Sequence, residues 1–177
     1  LMLAAGLLSS APAAADPLKE RAQELLSEGN KLVQRGDYVT ALTKFRSAHE
    51  LYPSPKLLIN IGTTLRYLGR NAEAAEVYEQ YLDDPEAERG QSREVEQVLS
   101  EIDDSVGRLH ISVAEKQARI SVDGRVIADM PKEGIRVDPG RHTVIGDVPG
   151  RPATVRYVSV DAEELVVGRA CKKIQRP

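Results

Sequence analysis

Between residues 25 and 106 the apolar positions recur at spacings of three and four, and beyond Gly107 they alternate with polar ones. The first pattern predicts helices with one apolar stripe each, the second half-buried strands. Leu25, Leu26, Leu32 and Val33 form the opening stripe and lead to Arg35-Gly36-Asp37. There Gly36 suits the left-handed residue that ends a helix, and Asp37 the cap of the next. Along that next helix Tyr38, Ala41, Leu42, Phe45, Ala48 and Leu51 share one face, with two alanines small enough to admit a crossing helix. Ser54-Pro55 predicts a third start, Ser as N-cap and Pro at the first helical position. Leu57, Leu58, Ile61, Leu65 and Leu68 make its stripe; the corner Gly69-Arg70-Asn71 precedes a fourth helix lined by Ala74, Ala75, Tyr78 and Leu82.

The second pair of helices repeats the first at an offset of 33 residues: Gly29 and Gly62, Gly36 and Gly69, Ala41 and Ala74, Phe45 and Tyr78. Such a period marks helical hairpins that bury their apolar faces only by stacking, an architecture of binding scaffolds more than of catalytic pockets. The copies span about 22–55 and 55–87. After them Val95, Val98, Leu99, Ile102 and Val106 keep helical period, which predicts a capping helix over 92–106 with Ser92 as its cap.

These residues closely resemble the tetratricopeptide repeat family. The first copy, GNKLVQRGDYVTALTKFRSAHELYPSP, carries the signature at Gly29, Gly36, Tyr38, Ala41, Phe45, Ala48 and Pro53; the second keeps Gly62, Gly69, Ala74 and Tyr78. Tyr81 stands where the family has a small Ala, which marks this copy as a terminal one packed on something other than another repeat. The resemblance implies a concave groove for an extended peptide or a partner helix, lined by the first helix of each hairpin. In this sequence its residues are Asn30, Gln34, Asn60, Thr63, Arg66 and Tyr67. Asn30 and Asn60 match two asparagines of the family's carboxylate clamp, but Leu26 replaces its Lys, so a full clamp is not expected.

Past Gly107, Leu109–Val113, Ala118–Val122, Ile135–Val137, His142–Ile145 and Val155–Val160 alternate as strands do. Asp123-Gly124 predicts a tight hairpin, and Asp138-Pro139-Gly140 and Val148-Pro149-Gly150 predict two further turns, the spacing of a small antiparallel sandwich. This stretch resembles the PEGA family of small extracytoplasmic β modules, through Gly107-Arg108-Leu109, ARISVDGRVI, Pro131, IRVDPGRHTV and Leu165-Val166-Val167. The run that names the family reads Glu115-Lys116-Gln117-Ala118 here. The expected fold is therefore α+β in two domains: an all-α domain of repeat hairpins with a capping helix over 16–106, and a small antiparallel β-sandwich over 107–168. Residues 169–177 are expected to be a basic tail.

The apolar run Leu1–Leu8 followed by an Ala-rich stretch to Ala15 has the form of a signal peptide, N-terminally incomplete, over 1–15. The mature chain is then expected to begin near Asp16, exported to the periplasm or cell envelope. No stretch reaches the about 18 apolar residues of a transmembrane helix. The lone Cys171 reads as a small buried hydrophobe. With 4% aromatic residues and an acidic pI, nucleic acid is not an expected partner.

Charge divides unevenly. Asp16–Val106 holds 11 Lys and Arg against 18 Asp and Glu, whereas Gly107–Pro177 holds 13 against 9. An acidic helical half and a basic β half can dock on each other or steer different partners.

Catalytic motifs do not emerge. His49, His110 and His142 have no ligand or nucleophile spacing, His142 being assigned to its turn; the glycines form no phosphate loop, and Asp83-Asp84 and Asp103-Asp104 are neighbours that diverge on a helix. No catalytic residue, metal or cofactor is expected. The chain reads as a non-enzymatic exported scaffold whose groove binds protein and whose β module attaches to an envelope surface. The alternative is a structural or assembly subunit of an envelope complex.

Overall fold

The computed structural model describes residues 16–113, 115, 117–161 and 165–169, the last five as backbone. The expected signal peptide, Cys171 and residues 170–177 lie outside the described residues. Five helices come first, α1 (Pro17–Gln34), α2 (Tyr38–Leu51), α3 (Pro55–Tyr67), α4 (Asn71–Asp83) and α5 (Arg89–Asp103). Seven strands follow, β1 (Gly107–Ser112), β2 (Arg119–Val122), β3 (Arg125–Ile127), β4 (Ile135–Val137), β5 (Gly140–Asp147), β6 (Thr154–Val160) and β7 (Leu165–Arg169). The layout is α+β in two parts.

The 33-residue offset is visible in the backbone itself. α1 ends as Gly36 takes φ +76°, with Asp37 N–H bonded to Leu32 O and Gly36 N–H to Val33 O. α3 ends the same way: Gly69 has φ +70°, Arg70 N–H reaches Leu65 O and Gly69 N–H reaches Arg66 O. This double-bonded helix end needs a residue free to adopt positive φ, which only glycine does without strain. In the core, a Cβ on Gly29 would collide with the Phe45 ring and one on Gly62 with the Tyr78 ring. Each first helix thus has a notch that seats the aromatic ring of its partner helix. Ala41, Ala48, Leu65, Ala74 and Ala75 are fully buried around these rings.

Both ends of the last helix, and the capping at Ser54, differ from expectation. The last helix spans 89–103 rather than 92–106, and Ser92 is not its cap but an internal residue whose hydroxyl donates to Glu88 O at 3.0 Å. The cause is Tyr81. Its ring is buried, and its hydroxyl accepts from Glu88 N–H at 3.1 Å and donates to Glu88 O at 3.3 Å, fixing the chain at the helix start. Ser54 stands at the N-cap position of α3 with Pro55 next, but its side chain makes no cap bond.

In the β part, β3-β2-β5-β6 form one antiparallel sheet and β4-β1-β7 a second. The second sheet corrects the all-antiparallel expectation. β1 pairs antiparallel with β4 but parallel with β7, Arg108 opposite Leu165 through Ser112 opposite Arg169. The chain leaves the four-stranded sheet after β6 and re-enters the other beside β1, in the same direction. Arg169, assigned to the tail from sequence, is the last residue of β7. Leu109, Ile111, Ile120, Val122, Ile135, Val137, Val144 and Val160 fill the space between the sheets. Asp123 (φ 49°) and Gly124 (φ 82°) turn β2 into β3, the paired positive φ of a primed hairpin turn.

Candidate functional site

α3 buries Leu57, Leu58, Ile61 and Leu65 on one side and carries Asn60, Thr63, Arg66 and Tyr67 on the other. Three of these four meet a neighbouring helix. Thr63 Oγ1 lies 3.2 Å from the Tyr78 hydroxyl of α4, and Arg66 reaches Glu101 of α5 at 3.3 Å. Burial raises the Tyr78 pKa, with Thr63 and Arg66 opposing it, so the phenol stays protonated and available as a donor. Tyr67 stacks on Tyr38 of α2, ring centres 4.7 Å apart and planes 18° from parallel, yet remains 58% exposed. Asn60 Nδ2 is buried without a hydrogen-bond partner among the described residues. Asn30 and Gln34 lie exposed about one turn apart on α1.

Three of the six expected residues therefore fall into two groups, and Asn30, Gln34 and Asn60 join neither. Thr63 and Arg66 belong to a polar cluster with Tyr78 and Glu101; Tyr67 belongs to an aromatic pair with Tyr38. Periodicity assigns a residue to a helix face, but not to the neighbour that a second helix brings there, so Tyr38, Tyr78 and Glu101 were not legible as site members. The arrangement presents amide, guanidinium and aromatic groups on a helical surface. It suits recognition of a chain by hydrogen bonds and stacking.

A second charged region joins the two parts. Arg125 of β3 grips Glu76 of α4 through both guanidinium ends at 2.5 and 2.6 Å. Arg136 of β4 bonds Glu79 at 2.6 Å and both oxygens of Asp103 at 2.8 and 3.2 Å, and Arg108 adds a 2.5 Å bond to Asp103. The Asp103 carboxyl is held below its ordinary value chiefly by the hydrogen bond from Arg136, against the effect of burial. Arg136 is raised, chiefly by Asp103 and then Glu79. Finally, Asp138 Oδ1 accepts from Ala72 N–H at 3.0 Å, at the start of α4. The N-cap of that helix is Arg70, which makes no side-chain cap bond, whereas its counterpart 33 residues earlier, Asp37, accepts from Thr40 N–H at 3.2 Å. The β part thus supplies the cap that the second repeat lacks. The charge asymmetry of the sequence resolves into docking of one half on the other.

Beside this joint lies a cleft of about 650 Å³ lined by Glu76, Glu79, Arg108, Arg125, Pro131 and Arg136. Of the charged groups lining it, Glu76, Glu79, Arg108, Arg125 and Arg136 are committed to ion pairs. An adjoining cleft of about 300 Å³ is lined by Arg70, Glu73, Asp123, Asp138 and His142. There the buried His142 ring spans two turns, Nδ1 2.7 Å from Asp123 Oδ2 and Nε2 2.6 Å from Asp138 O. The assignment of His142 to its turn was correct but incomplete. Among the described residues no three His, Cys, Asp or Glu gather as a metal site, and no helix is long and apolar enough to cross a membrane. Neither the protein-family models nor the curated proteins contain a match to this chain.

Proposed function

We propose that this protein is a non-enzymatic exported scaffold, in which tetratricopeptide-like hairpins hold a partner peptide or helix against the α1 and α3 face. The PEGA-like β module attaches the unit to a component of the cell envelope or periplasm. One observation carries this reading: every hydrogen bond and ion pair described between the two parts falls on α4 or the end of α5. Docking of the β part therefore leaves Asn30, Gln34, Arg66 and Tyr67 exposed. Exposed Tyr and Arg anchors are the residue types that concentrate binding energy at protein interfaces.

Affinity capture from cell envelopes tests it. The full chain should retain one defined partner, and Tyr67→Ala or Arg66→Ala should weaken that retention by at least about tenfold while leaving the melting temperature within a few degrees. Retention unchanged by both substitutions excludes the face. Full-length protein found in the cytoplasm with Leu1–Ala15 intact overturns the location.

The assembly-subunit reading draws on a different feature. β6 pairs only with β5 among the described strands and exposes Val155 and Tyr157, the latter 71% accessible. An open strand edge with apolar side chains is a template for pairing between copies. Light scattering that gives a concentration-independent oligomer would favour this second reading, and a monomer the first.

A further inference from the structure

The His142 ring is placed between two acceptors. Asp138 O is a backbone carbonyl and only accepts, so Nε2 must carry a proton. Asp123 uses its other oxygen to accept from Thr143 N–H at 2.8 Å. Burial pushes the Asp123 carboxyl up, but the bonds from His142 and Thr143 outweigh it and hold the group below its ordinary value, so it faces Nδ1 as a carboxylate. Both contacts are hydrogen bonds only when both ring nitrogens carry protons. Removal of one proton turns a lone pair toward an oxygen at 2.6 or 2.7 Å.

The second half of the observation is Asp138. Its carbonyl holds Nε2, and its carboxylate caps α4 at Ala72. An unbroken path therefore runs from the β2–β3 turn through Asp123, His142 and Asp138 to the first turn of α4. The other charged groups lining the 300 Å³ cleft at His142 are Arg70, Glu73 and Glu76 from α4 and its approach, Arg125 from β3 and Arg136 from β4. Glu73 is engaged by Arg46 and Arg70, Glu76 by Arg125, and Arg136 by Glu79 and Asp103. Of all these, only Asp123 and Asp138 bond the ring.

We infer that His142 is a proton-dependent pin: its doubly protonated ring fixes the two β turns and, through Asp138, the seating of the β part on α4. The joint is tight while both ring nitrogens carry protons and loosens when one proton is lost.

Nuclear magnetic resonance on the full chain reads both ends of the path. The His142 ring nitrogens should show two protons at the acidic end, and the Ala72 amide should titrate with the same midpoint. Ala72 exchange protection should fall by about two- to tenfold on the basic side, the loss of one hydrogen bond. Asp138→Ala keeps the backbone carbonyl that holds Nε2 and deletes the oxygen that caps α4, so the ring still responds to pH while Ala72 ceases to follow it. His142→Gln flattens the Ala72 titration. An Ala72 response that persists unchanged in His142→Gln would assign it to Glu73 or Glu76 and overturn the proposal, as would a singly protonated ring at the pH where Ala72 is protected.

Discussion

Gly29 and Gly62 are helical residues where glycine is costly by propensity, by about 1 kcal/mol relative to Ala. Each is retained against an aromatic ring whose atoms a Cβ would overlap. Gly29→Ala is expected to destabilise the protein by about 1–3 kcal/mol in chemical denaturation, because overpacking outweighs the gain in helix propensity. Its effect should be non-additive with Phe45→Leu, which removes the obstructing ring edge. Additive effects would mean that the notch plays no part. Tyr81 offers a second case at this scale. Tyr81→Phe preserves the ring and deletes both bonds to Glu88, so a loss of about 1 kcal/mol is expected, with faster amide exchange at Glu88. Tyr81 was legible as an anomaly in the repeat; what its hydroxyl holds was not, because its partner is backbone, which has no sequence signature.

For elements, the helices were readable because their stops are chemical: Gly36 and Gly69 at positive φ end α1 and α3 where the 33-residue offset places them. The start of α5 was misread because a serine with capping chemistry lies three residues inside a helix that a tyrosine anchors from elsewhere. Alternation identified β1, β2, β4, β5 and β6 but carries no information on direction, so the parallel pairing of β1 with β7 could not be seen. The first turn of α4 takes no side-chain cap from its own N-cap residue, Arg70, and is capped from the β part. Asp138→Ala is therefore expected to cost about 1 kcal/mol, similar to Asp37→Ala at the matching corner, although Asp138 lies in the β part. Exchange at Ala72 should quicken in the first variant and not in the second.

The whole molecule is held as one unit by arginines from the β part set against carboxylates of the helices. The Asp103 carboxyl is depressed by Arg136 first, so its contribution is present above the carboxylate's unfolded pKa, about 3.9, and is lost as pH falls through the lower folded value. Acidification below about pH 4 should loosen the joint before the helical core melts, seen as an increased radius of gyration in small-angle scattering. Arg136→Ala removes the Glu79 and Asp103 contacts together, and is expected to split a single calorimetric transition into two. A single unchanged transition would mean that apolar contact, not charge, joins the parts. The composition of each half announced opposite charges, and the fold shows Arg108, Arg125 and Arg136 of the β part paired with Glu76, Glu79 and Asp103 of the helices.

The cap on α4 also bears on the order in which the protein is made. Ala72 and Asp138 are separated by 66 residues, so a nascent chain emerging from the ribosome forms its helical hairpins while the residue that completes α4 is still unsynthesised. The second repeat is finished only when the β part has emerged, folded and swung onto it. Completion of α4 is thereby timed to the emergence of the β part.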